Sequence, residues 1–137
     1  MTALTMTHLI WVAGCIHIGI VLANVPLPRM LRVRENLTNV PRFIRQVFYV
    51  HWFYIVLVVG FFAALCFGFA RDLMGASSVG RFLSAFMAGF WLLRIGLQWL
   101  YYDYSLLREH RVLYLLYTIA LIVLVGIFGT VAIHPRG

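Results

Sequence analysis

The chain has 137 residues, 64% of them apolar and only 11% charged, against roughly 45–50% and about 25% in soluble domains. Eleven basic and four acidic side chains cannot supply the polar surface that a soluble fold of this size needs, so the solvent has to be a bilayer. The formal charge of +7 comes from arginine without any lysine, and these arginines flank apolar runs instead of forming a basic face, which excludes nucleic acid and favours anionic lipid headgroups or acidic neighbouring subunits.

Residues 1–28 carry no Asp, Glu, Lys or Arg, room enough for the ~20-residue helix that crosses a hydrocarbon core about 30 Å thick. A first span is expected over about 5–25. It lacks the basic start of a secretory signal, and its apolar stretch runs past any processing point. Val12-Ala13-Gly14-Cys15 matches a lipoprotein box by chance, with too short an apolar lead for lipidation.

The connection 26–42 opens with Pro26-Leu27-Pro28 and mixes apolar with basic residues over Met30-Leu31-Arg32-Val33-Arg34, which predicts a short amphipathic helix in the headgroup layer. Arg29, Arg32, Arg34, Arg42 and Arg45 are read as headgroup contacts. Pro41 suits the first turn of the second span, capped by Asn39 or Thr38. That span is expected over 43–70, followed by a tight polar loop 71–80. A third span over 81–102 is interrupted by Arg94 alone, and a fourth fills 111–133.

Seven arginines fall in the connections 26–45 and 103–111, including Arg108 and Arg111, against Arg71, Arg81 and Arg136 on the other side. The positive-inside bias therefore puts both termini outside and the arginine-rich connections in the cytoplasm, consistent with a bacterial inner membrane. Asn36-Leu37-Thr38 matches a glycosylation sequon on the wrong side for this topology and is read as chance. The expected fold is all-α, a four-transmembrane-helix bundle. Similar filling of Arg45–Gly60 and Arg111–Gly126 raises the option of two parallel helical hairpins.

Small residues at four-residue spacing, Gly60, Ala64 and Gly68, Gly80, Ser84 and Ala88, Gly126 and Thr130, predict close helix packing in the outer half. Polar residues gather in the inner half: His17, Asn24, Gln46, His51, Tyr54, Arg94, Gln98, Tyr101, Tyr114, Tyr117 and Thr118. Arg94 is the costliest, since an arginine deep in a span requires at least about 2.5–3.5 kcal/mol and is paired or hydrated. Asp103 is nine residues further on, roughly 13 Å along the axis. A bound anion, a lipid phosphate, a haem propionate or a carboxylate from another membrane subunit is the expected partner; the alternative is that Arg94 snorkels to the interface.

His17 and His51 fall at roughly similar depths when each span is counted from its inner end, which raises bis-histidine ligation of a b-type haem with Arg94, Arg42 and Arg45 near the propionates. Helix-to-helix hydrogen bonding by each histidine, or a quinone in place of haem, stands beside it. Asn24, Tyr54, Trp91, Gln98 and Tyr101 are the residues expected to orient a ligand. His8, His110 and His134 are read as solvated, and Cys15 and Cys66, about 15 Å apart in depth on the same count, as unbridged packing residues. Apart from haem iron at His17 and His51, no metal site is expected.

The pattern Leu22-Ala23-Asn24 before prolines, Arg45-Gln46-Val47-Phe48-Tyr49-Val50-His51, Phe90-Trp91-Leu92-Leu93-Arg94 and Gln98-Trp99-Leu100-Tyr101-Tyr102-Asp103 resembles uncharacterised small bacterial four-helix integral membrane proteins over nearly the whole chain. The resemblance implies no activity. The plan is also similar in topology to the eicosanoid and glutathione metabolism family of trimeric membrane enzymes, but the second span lacks the glutamate of that family and none of its residues carry over. The expected function is an integral membrane subunit or small-ligand-binding module of an electron-transfer complex, taking haem b or quinone. The alternatives are an enzyme acting on a lipid-soluble substrate, with His51 as acid or base and Arg94 as anion clamp, and a structural accessory subunit.

Overall fold

The computed structural model describes residues 2–75, 77–101 and 110–134. Its elements are α1 (Ala3–Asn24), α2 (Leu27–Met30), α3 (Val33–Asn36), α4 (Arg42–Gly68), α5 (Ala70–Met74), α6 (Ser78–Tyr101) and α7 (Arg111–Ile133). Four helices are long and apolar enough to cross a membrane, and the chain is an all-α four-helix bundle. Tyr102, Asp103, Tyr104, Arg108, Glu109 and Arg136 lie outside the described residues.

The helices exist because their residues are apolar on nearly every side and, in hydrocarbon, an α-helix alone satisfies its own backbone. Only part of each helix turns inward. Phe53, Leu57, Phe61, Leu92, Leu115 and Ile122 stay more than half exposed, as a lipid-facing surface requires. The inward side chains, among them Ile10, Met87, Trp91, Leu121, Leu124 and Phe128, form one continuous core. Helix α1 packs along α4 and α6 along α7, and α1 also meets α7. Helices α4 and α6 meet through aromatic rings, with Phe62 edge-on to Phe86 at 6.3 Å and to Phe90 at 5.2 Å.

The register of α1 against α4 corrects the depths counted from the sequence. A Cβ on Gly14 would touch Cys66 and the Phe67 ring, the His17 ring meets Phe62, and the Trp52 indole donates to the Asn24 carbonyl at 3.2 Å. Cys15 and Cys66 therefore sit at adjacent levels, kept apart because Cys15 faces outward and Cys66 inward. His51 falls eleven residues from Phe62 and one beyond Trp52, roughly 12–16 Å nearer the arginine-rich end than His17. The cause is length: α4 has 27 residues against 22 in α1, so its first turns run past the end of α1 and the α2–α3 segment folds back beside them.

Local details also differ from expectation. The interfacial helix is split into two short turns at Arg32, whose φ of 46° is left-handed. Pro41 is the N-cap of α4 and not part of its first turn; the Thr38 hydroxyl instead donates back to the Arg34 and Glu35 carbonyls and closes α3. Loop 71–80 contains α5 and the first residues of α6, because Ala70 and Leu73 bury themselves against the bundle. Ser84 holds this corner by donating to the Leu73 carbonyl at 3.0 Å. Gly80 is required there, since a Cβ would collide with the Asp72 carbonyl oxygen. Of the predicted small-residue stripe, Gly80 and Ser84 pack closely, whereas Gly60, Gly68 and Gly126 face open space.

Candidate functional site

Two polar regions sit one above the other in the bundle. The first is centred on His17, which is 0% exposed. One aromatic ring from each of the other three spans surrounds it: Phe62 at 5.7 Å, Trp91 at 5.5 Å and Phe128 at 5.9 Å between centroids. The Trp91 indole donates to His17 Nε2 at 3.1 Å. An indole N–H only donates, so Nε2 is the acceptor and the proton sits on Nδ1, which donates to the Ala13 carbonyl at 2.6 Å. Both nitrogens of a neutral imidazole are thus used. This centre closes the middle of the bundle as a sealed plug.

The second region begins one helical turn further along α6. A cavity of about 390 Å³ is lined by Asn24 of α1, Leu27 and Met30 of α2, Arg94 and Gln98 of α6, and Tyr114 and Tyr117 of α7, with neighbouring apolar side chains. Arg94 is half-buried, its guanidinium 5.6 Å from the centroid of the Tyr117 ring, a distance at which the ring face attracts the cation. Gln98 is 3% exposed. Its Nε2 donates to the Thr118 hydroxyl at 2.8 Å, and that hydroxyl donates onward to the Tyr114 carbonyl at 2.8 Å. This chain of donors fixes which end of the amide is oxygen. Gln98 Oε1 is left buried without a hydrogen-bond partner.

Such an orphan acceptor costs about 1–3 kcal/mol. Its neighbour Asn24, on the same cavity wall, donates to the Ile20 carbonyl at 2.8 Å. The cavity wall combines the Arg94 side chain, the Gln98 amide with its buried oxygen, two tyrosines and apolar surface. Apolar lining with a few convergent polar groups is the general composition of small-molecule pockets.

The residues named from sequence divide between these regions. Asn24, Arg94 and Gln98 come together at the cavity; Trp91 belongs to the His17 plug. Tyr54 and Tyr101 are 58% and 81% exposed and line nothing described. His51 is exposed, bonded by Nδ1 to the Val47 carbonyl of its own helix. Tyr114 and Tyr117 were visible in the sequence as a polar pair on the fourth span, but the α2 side chains that wall the cavity carried no polar signal.

A b-type haem does not fit these residues. His17 has no unused nitrogen, three aromatic rings enclose it, and His51 lies roughly 12–16 Å along the axis and on the outside of the bundle. The His51 acid/base role falls with the same observation, since His51 does not line the cavity. Among the described residues, no group of three or more His, Cys, Asp or Glu side chains is placed to hold a metal ion. Arg29, Arg32, Arg34 and Arg42 are exposed around the same end of the bundle, and Arg45 is half-buried.

Comparison with known proteins gives no match: no family model fits the chain, and neither a curated protein nor a solved structure is detectably similar to it.

Proposed function

We propose that the chain is an integral membrane ligand-binding module whose cavity at the arginine-rich end takes a lipid-soluble molecule with a ring-like polar head. Arg94 gives the wall that faces that head its positive potential, and Gln98 Oε1 accepts a hydrogen bond from a hydroxyl on it. A membrane quinol has this pairing of donor and acceptor on an apolar body, which makes a quinone/quinol subunit of an electron-transfer assembly the reading best supported. The single observation that carries it is the buried, unpartnered Gln98 oxygen on a cavity wall that also bears Arg94. The arginine bias orients this end toward the cytoplasm, with both termini outside a bacterial inner membrane.

The test is solvent extraction of the purified chain followed by mass spectrometry of the lipid-soluble fraction. Near-stoichiometric quinone or quinol is expected in the wild type, falling at least about tenfold in Arg94→Leu and Gln98→Leu proteins that keep their helical circular dichroism. Equal content in wild type and both variants, or no retained quinone in the folded wild type, would sink the proposal.

A further inference from the structure

A second opening lies at the same end of the bundle but on the other side of the α2–α3 segment. Arg29, Arg32, Arg34 and Glu35 line a groove of about 690 Å³ together with Tyr49 and Trp52 of α4 and with Val25, Pro26 and Pro28. Met30 and Leu31, from the same short stretch, line the ligand cavity instead. The segment is therefore amphipathic across its thickness. The left-handed turn at Arg32 breaks the helix between Met30 and Val33, and the arginines on either side of it line one groove.

Depth decides what fills this groove. Helix α1 has 22 residues, about 33 Å, which matches a hydrocarbon core about 30 Å thick. Its end at Asn24 is level with Trp52, whose indole donates to the Asn24 carbonyl, so the groove opens where hydrocarbon gives way to headgroups. Tyr49 and Trp52 are the amphipathic rings that favour this layer. Three guanidiniums against one carboxylate leave a net charge of about +2 in the groove. Among the described residues the one ion pair is Arg32 with Glu35, long at 3.8 Å and solvent-exposed, hence weak. Arg42 and Arg45 do not line the groove.

We infer that Arg29, Arg32 and Arg34 form a discrete site for the phosphodiester headgroup of an anionic phospholipid. The planar guanidinium fork matches phosphate oxygens, while Trp52 and Tyr49 cover the glycerol region. Glu35 competes with the phosphate for Arg32. The site is separate from the ligand cavity and does not depend on what fills that.

Native mass spectrometry of the full chain in neutral detergent, with phosphatidylglycerol or phosphatidylcholine added at matched concentration, tests this. One retained phosphatidylglycerol per chain is expected, with roughly tenfold preference over phosphatidylcholine. The preference is expected to disappear in R29Q/R32Q/R34Q, to survive in R42Q/R45Q, and to rise severalfold in E35Q. Equal losses in both arginine variants would mean a diffuse basic surface and overturn the inference. So would retention of inorganic phosphate without any lipid preference, or weaker binding by E35Q. All of the substituted side chains in the triple variant are exposed, so the bundle is expected to keep its helical circular dichroism and leave the comparison readable.

Discussion

The His17 centre and the Gln98 cavity are built from similar materials, yet one is finished and the other is not. Around His17 each nitrogen has a partner, three aromatic rings exclude water, and the hydrogen bond from Trp91 ties α1 to α6 through the core. Two turns along α6 from Trp91, Gln98 is nearly as buried but keeps an acceptor without a donor, beside a guanidinium and an opening. Buried polar groups that are fully paired specify packing; one left with unused capacity carries a desolvation cost that a partner from outside the bundle would relieve. The depth of a polar residue in a membrane span therefore says less about its role than the completeness of its hydrogen bonding.

Substitution should separate the two regions by the size of the loss in stability. The largest effect is expected for Trp91→Ala, which removes a 2%-exposed ring and the partner of His17 together; losses of about 3–5 kcal/mol are typical of such truncations. Reversible unfolding in mixed micelles followed by circular dichroism measures it, and a loss under 1 kcal/mol would deny that the plug holds the bundle. Next comes Gly80→Ala, expected to cost about 1–3 kcal/mol because the new methyl meets the backbone of α5. The same change at Gly126, which faces open space, should instead be neutral or stabilising by up to about 1 kcal/mol.

At Gln98 the expectation turns over. Gln98→Leu gives up the bond to Thr118 but also removes an unpaired buried oxygen, so the ligand-free chain should stay within about 1 kcal/mol of wild type while ligand retention falls. Loss of stability as large as that of Trp91→Ala would place Gln98 with the scaffold. The smallest effect belongs to His51→Ala, exposed and bonded only to its own helix: within about 0.5 kcal/mol in stability, with unchanged ligand content.

Composition alone carried the helices, because uncharged runs such as 46–70 and 112–135 have one stable form in hydrocarbon. It also carried Asn24, Arg94 and Gln98 to one site, since polar residues on apolar helices turn toward each other. What the sequence hid was rotation and register. Helix α4 carries no charge from Gln46 onward, so nothing in its composition marks where it draws level with the end of α1, and counting inward from Gln46 put His51 too deep. Likewise α1 is apolar all round, and Trp91, read as lining the ligand site, was claimed by His17 across the bundle. The corner at α5 was missed because Arg-Asp-Leu-Met-Gly reads as a polar loop until Leu73 is seen to bury.

The most direct test compares two probes differing only in a hydrogen-bond donor: a short-chain hydroquinone and its dimethyl ether, titrated calorimetrically into delipidated protein. An acceptor waiting at Gln98 Oε1 should favour the hydroquinone by at least about fivefold in the wild type, and the preference should vanish in Gln98→Leu. Equal affinity for both probes in the wild type, or a preference that persists without the amide, would contradict the assignment of that oxygen as the ligand's anchor.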